Sequence, residues 1–267
     1  MGSQVYCQTT INHGTLEGLE PFPTEILDGR MEDLSIDRQG FELQRIPSQV
    51  KDWQSQAEIE LFHYDELTEW AKAYSGCDAV LFYPALIRSP ETEANNEDFA
   101  PVQGAHSDYS ENYFDMIRDA SHPYRKLIKP SQDRAGVSDE QVANISRVRT
   151  LQVWRNTGSA LMDYPLAFCD ARSVPRRQLM PILVESYGGY ETQFESFIVL
   201  APTEQDHYKW YCFPQMEADE VVVFRAYDSD LVQQGETFWT PHCAFKDPHS
   251  DGVPRSSLEM RAICLYF

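Results

Sequence analysis

The sequence contains no apolar run approaching the roughly 20 residues that a membrane-spanning helix requires. Its start, Met1-Gly2-Ser3-Gln4-Val5-Tyr6, lacks the apolar stretch of a secretory signal. Tyr6 also stands where N-myristoylation wants Ser or Thr. There is no CxxC pair; the six cysteines are scattered singly, which suits free thiols in a reducing compartment better than a disulfide framework or a zinc knuckle. Basic residues are scarce: Lys+Arg 22 against Asp+Glu 42 leaves a net charge of −20, and such a surface repels phosphate backbones and anionic lipid. These absences predict a cytoplasmic protein with no nucleic-acid and no membrane partner. A small-molecule substrate remains, handled by a monomer or homodimer, and any anionic ligand needs local Arg or Lys to overcome the global field.

Internal repeats, low-complexity tracts and an interdomain linker are also missing, so the 267 residues read as one domain. Residues 1–60 look irregular and turn-rich. A helix is expected from Asp65, its N-cap, through Leu67, Trp70, Ala71 and Tyr74. Residues 77–84 read as a buried strand, residues 113–120 as a helix, and Ser138 with Gln141 as a capping box opening another. Strands are expected over residues 148–155, 194–200, 208–213, 221–227, 238–245 and 258–267, with a helix over 178–186. The fold class that follows is mainly β with peripheral helices, a jelly-roll, cupin-like barrel. Residues 1–100 are assigned to N-terminal decoration and residues 101–267 to the barrel core.

No P-loop, GxGxxG, GxSxG or HExxH motif is present, which leaves seven histidines as the chemistry-bearing residues. Non-haem Fe(II) sites use two histidines and one carboxylate on one face of an octahedron. In a strand, His-x-Asp places both side chains on the same side. The pattern occurs three times, at His63/Asp65, His106/Asp108 and His249/Asp251, so the motif alone does not select a site. His63 precedes the helix that Asp65 should cap, and His249 lies in a loop with no histidine after it. His106 and Asp108 open a short strand and have a downstream partner, best placed at His242 within Pro241-His242-Cys243-Ala244-Phe245, with His207 as competitor. At the C-terminal end Arg255, Ser257, Glu259 and Arg261 share one strand face. An Arg-x-Ser arrangement suits a dicarboxylate, because a guanidinium pairs bidentately with a carboxylate and a hydroxyl adds a further bond. Trp154 and Arg155, at a strand end, and Tyr109 and Tyr113, just after the metal pair, are candidates for lining a substrate pocket. On these residues alone, an oxygenase, a cupin-like isomerase or hydrolase without a second substrate, and a metal-free binding module all stay open.

Several blocks taken together, Gly104-Ala105-His106-Ser107-Asp108-Tyr109-Ser110, Gln152-Val153-Trp154-Arg155-Asn156, Asp163 to Asp170, His207 to Met216, Asp219 to Ser229, Pro241 to Pro248 and Pro254 to Arg261, resemble the fungal Fe(II)/2-oxoglutarate-dependent oxygenases of the gibberellin desaturase and aspergillic-acid hydroxylase/desaturase type. Cys243 and Arg225 depart from that pattern, where Thr and Lys are common. The resemblance implies a double-stranded β-helix with Fe(II) on His106, Asp108 and His242. It implies 2-oxoglutarate between the metal and Arg255/Ser257, with Arg261 as second choice, and O2 as co-reactant. The expected activity is hydroxylation, desaturation or cyclisation of a secondary metabolite by C–H abstraction.

Overall fold

The structure, a computed structural model, describes residues 4–267; the myristoylation pattern, which begins at Met1, lies partly outside them. Two long strands, β1 (Val5–Thr15) and β2 (Gly18–Asp28), form an antiparallel hairpin at the start. Its turn is closed by Gly18 at φ +129, a backbone state that glycine adopts without strain. β3 (Phe41–Arg45) follows. The first sixty residues are therefore not irregular, contrary to the sequence reading. The hairpin escapes detection because Cys7 and Ile11 are the only apolar side chains that β1 buries, beside His13 and Gly14, and β2 carries Pro21 and Pro23. Those prolines are tolerated because β2 bonds β11 (Trp210–Cys212) only at Ile26, Leu27 and Asp28.

The next element runs without a break through α1 (Gln56–Glu58), a π-helical turn over Ile59–His63, and α2 (Tyr64–Ser75). Its N-cap is Ser55, whose hydroxyl accepts from the Glu58 amide, and it ends at Gly76 in the left-handed region. Asp65 lies inside the helix rather than at its start. The π turn inserts one residue into the 3.6 period, so the apolar spacing before Tyr64 no longer matches a helix template. β4 (Ala79–Phe82) and β5 (Leu86–Arg88) come next, then α3 (Pro90–Asn95), β6 (His106–Ser107), α4 (Tyr113–Arg118) and α5 (Pro123–Arg134). α6 (Asp139–Ala143) opens on the Ser138/Gln141 capping box anticipated from sequence.

β7 (Arg147–Asn156), β8 (Leu166–Cys169), β9 (Leu179–Tyr187) and β10 (Tyr190–Val199) precede β11, and β12 (Glu220–Asp228), α7 (Ser229–Gln234), β13 (His242–Ala244) and β14 (Ser257–Tyr266) complete the chain. The helix expected over 178–186 is the strand β9. Its apolar residues fall at mixed spacing because β9 is an edge strand with Met180 and Leu183 turned to solvent, and the edge position also accommodates Pro181. The expected strand over 238–245 narrows to the three residues of β13.

The strands form two sheets. One has the order β1-β2-β11-β8-β13-β6-β10-β9, the other β3-β12-β7-β14-β4, with β5 also bonded to β14. Leu151, Val153, Leu258, Met260 and Ala262 pack outward from the second sheet in a cluster that includes Leu67 and Ala71 of α2. Their strand neighbours Trp154, Glu259 and Arg261 consequently face inward. β14 is buried on both faces, and its inward side is polar at Ser257, Glu259 and Arg261 and apolar at Ile263 and Leu265.

Gly40 joins the N-terminal segment to this frame. It has φ +97, and a Cβ there would lie 2.4 Å from Thr240 Oγ1, next to β13. Gly40→Ala should cost about 1–3 kcal/mol from strain, seen as a fall in melting temperature of roughly 2–4 °C per kcal/mol. An unchanged melting curve would show that the Gly40–Thr240 contact does not constrain the fold.

Candidate metal centre

The site begins with a two-residue strand. β6 lies between β10 and β13, and its register sets His106 directly opposite His242. Directly opposed residues on antiparallel strands project to the same side, and the two imidazole centroids are 4.3 Å apart. Asp108, two residues beyond His106, lies with Oδ1 3.9 Å from His106 Nε2 and Oδ2 3.8 Å from His242 Nε2. One ligand atom from each residue falls within 4.8 Å of the others, and no other such group of His, Cys, Asp and Glu occurs among the described residues.

Each imidazole is oriented from behind. His106 Nδ1 donates to Gly104 O at 2.8 Å and His242 Nδ1 to Thr240 O at 3.0 Å. A ring that donates through Nδ1 presents the Nε2 lone pair to the centre, the arrangement by which protein scaffolds aim imidazoles at metals. Burial, aided by the neighbouring His242, lowers the His106 pKa to about 4, so this ring is in the neutral form that a metal takes. For Asp108, burial pushes the carboxyl up, but Arg261 and the two imidazoles outweigh it and hold the group below the usual carboxylate range. Asp108 Oδ2 is buried without a hydrogen-bond partner. A ready carboxylate oxygen and two aimed nitrogens fit a divalent ion of the iron class.

A cavity of about 270 Å³ opens onto these three residues. Apolar side chains such as Leu19, Val102, Ile182 and Val184 form part of its wall, and Arg88, Arg255, Glu259 and Arg261 supply charge. Arg261 Nη2 is 2.7 Å from Glu259 Oε1 and 3.5 Å from Asp108 Oδ1, with its guanidinium over the Tyr83 ring. Arg255 donates to Tyr164 O at 3.1 Å. Its pKa is lowered to about 9 by burial and then by Arg88. Ser257 Oγ is buried and unpartnered, opposite Arg88 across β14 and β5.

Not every expected residue reaches the cavity. Trp154 lines it, with an unpartnered Nε1. Arg155 points to the other face of β7, donating to Ala218 O and Ile46 O, both at 2.6 Å, and stacking over Trp53. Strand alternation forces this: adjacent residues cannot share a face. Tyr109 and Tyr113 are fully buried and stacked on one another, and the Tyr109 hydroxyl bonds that of Tyr124. They are packing behind Asp108 and do not line the pocket. His63 bonds Glu66, His249 bonds the Tyr6 carbonyl, and His207 is exposed in a loop before β11. Sequence reasoning missed Arg88 and Tyr187, which carry no motif and reach the cavity only through pairing between distant segments.

Over residues 5–265 the chain matches the family described as Oxidoreductase/YMDC permease-like domain. The chain belongs to this family. No helix among the described residues is long and apolar enough to cross a membrane. The sequence is 27% identical to the hydroxylase/desaturase efuI of Hormonema carpetanum over 96% of this chain and 88% of that protein. It is 26% identical to the alpha-ketoglutarate-dependent dioxygenase phiK of a fungal species over 90% of this chain and 82% of that protein. The solved structure of the iron and alpha-ketoglutarate-dependent endoperoxidase NvfI superposes with a TM-score of 0.75 at 19% identity, covering 98% of both chains. The fold is thus the double-stranded β-helix of such oxygenases, and the homologues include hydroxylase/desaturases and dioxygenases of fungi.

Arg261 compensates two buried carboxylates, so Arg261→Met should destabilise the metal-free protein by about 3–5 kcal/mol. The variant loses the largest influence that lowers the buried Asp108 carboxyl, and the expected outcome is that burial then raises it above its unfolded value. The penalty therefore sets in as pH rises through the unfolded carboxylate range near ~4. The melting deficit relative to the parent should be larger at about pH 7.5 than at about pH 4.5. Melts in chelator that show a pH-independent deficit would rule out this charge role.

Proposed function

We propose that this chain is a non-haem Fe(II)/2-oxoglutarate-dependent oxygenase that hydroxylates, desaturates or cyclises a small secondary-metabolite substrate, with residues 1–267 acting as one oxygenase domain. The observation that carries the reading is the convergence of His106, Asp108 and His242, each imidazole tied through Nδ1 to a backbone carbonyl. The full-length relatedness to a hydroxylase/desaturase supports it. Iron bound there, with 2-oxoglutarate and O2, supplies oxidative decarboxylation to succinate and CO2 and the power to take hydrogen from an unactivated C–H bond.

The protein's own part is placement and exclusion. His106, Asp108 and His242 would hold the iron through one ligand atom each and would leave its remaining positions to co-reactants. Arg255 lines the cavity and offers guanidinium donors to the far carboxylate of 2-oxoglutarate; Ser257, two residues on, is not part of the lining, but its buried hydroxyl has no partner among the described residues and is the further donor we assign. Arg261 serves Asp108 through its charge and is taken up by Glu259, so it is a positioning residue rather than the cosubstrate anchor. The apolar walls shed water around the reacting carbon, and Trp154 bounds the cavity on the side of β7. All six cysteines are buried and free, in keeping with a cytoplasmic setting.

His106→Ala, Asp108→Ala and His242→Ala should each reduce Fe(II)-dependent succinate formation from 2-oxoglutarate at least ~100-fold, and chelation should do the same to the parent. Stoichiometric Fe(II) or Mn(II) binding should be lost in parallel. Variants that decarboxylate 2-oxoglutarate at the parental rate would refute the ligand assignment. Tight metal binding without 2-oxoglutarate consumption would instead favour a cupin-like isomerase or hydrolase.

A further inference from the structure

Three guanidiniums, Arg88, Arg255 and Arg261, face the cavity together with two carboxylates, Asp108 and Glu259. Arg261 lies against both carboxylates. Arg88 and Arg255 form no ion pair among the described residues; Arg88 donates to Asp98 O and Ala100 O, each at 2.9 Å, and Arg255 to Tyr164 O. Arg88 lies close enough to Arg255 to add to the lowering of its pKa by burial, and two buried guanidiniums on one cavity wall without carboxylate partners are costly to hold. Such an arrangement is stabilised when anions enter. On the oxygenase reading, Fe(II) adds two positive charges and 2-oxoglutarate two negative ones. The cavity then keeps a surplus of one positive charge.

The two arginines are tethered differently. Arg255 is held by Tyr164 and belongs to the same chain segment as Ser257. Arg88, only 4% exposed, donates its other terminal nitrogen to the hydroxyl of Tyr187 on β9. That hydroxyl accepts from Arg88, and its own proton has no acceptor among the described residues. Tyr187 shares β9 with Ile182 and Val184, which form apolar wall. A cationic N–H and a phenolic O–H thus meet at the edge of an apolar surface, a donor pair matched to one carboxylate on a hydrocarbon body.

We propose that the substrate is an apolar molecule bearing one carboxylate, and that Arg88 and Tyr187 hold that carboxylate while Arg255 serves 2-oxoglutarate. This rests on the oxygenase reading and adds the chemical class of its substrate. The residues concerned bind and orient; they take no part in bond cleavage.

The test uses the full chain loaded with Mn(II) and 2-oxoglutarate, titrated calorimetrically with decanoate and adamantane-1-carboxylate and with their methyl esters. At least one acid should bind about tenfold tighter than its ester. Arg88→Met and Tyr187→Phe should abolish that preference while leaving 2-oxoglutarate affinity within about threefold. Tyr187→Phe keeps the ring and serves if Arg88→Met fails to fold. Acids that bind no better than esters would overturn the proposal, as would a tenfold loss of 2-oxoglutarate affinity in Arg88→Met, which would make Arg88 a cosubstrate anchor. Failure of the parent to bind 2-oxoglutarate with Mn(II) is read before any acid is added and would overturn the oxygenase reading itself.

Discussion

The pairing of β6 with β13 is the constraint on which the centre depends. It consists of a single residue pair, His106 opposite His242, held on one side by β10 and on the other by β8. A strand of two residues has little stability of its own; neighbouring strands that are themselves paired keep it in register. A slip of one residue would turn His106 to the opposite face and carry Asp108 with it. The carbonyls of Gly104 and Thr240 then fix the rotation of each ring, so backbone geometry is converted into ligand direction.

Charge is divided between the two sheets. The imidazoles belong to the eight-stranded sheet, and Glu259 and Arg261 to the six-stranded one. Arg261 spans the gap by meeting Glu259 on its own strand and Asp108 on the far side. An ion pair this deeply buried is weak as a source of net stability but strong as a determinant of geometry, because removing either partner strands a charge. Tyr83 and Tyr109 lie against that guanidinium, and Tyr113 and Tyr124 pack in turn on Tyr109, so the charge sits on a buried aromatic layer.

Much of this was readable in the sequence where local physics decides. β7, β12 and β14 declare themselves by apolar runs, the Ser138 capping box by spacing, and His-x-Asp by the period of a strand. Trp154 and Arg155 show the limit of treating neighbours as a unit, since a strand must send one inward and the other out. The π turn before Tyr64 and the prolines of β2 and β9 defeat templates built on regular periods. Arg88 was beyond reach for a different reason. Its place in the cavity follows from the pairing of a three-residue strand with the far end of the chain, and a contact across that separation leaves no trace in local composition.

The spacing between the sheets acquires a meaning of its own. Because the ring nitrogens sit on one layer and the guanidiniums on the other, the packing thickness between layers works as a ruler for the length of any dicarboxylate strung from one to the other. Phe41, Phe168 and Phe224, members of one buried cluster that also contains Trp154, help set that thickness from outside the cavity lining. Substitutions among these hydrocarbons would recalibrate the ruler, and so alter which diacid is accepted, without exchanging a single polar group.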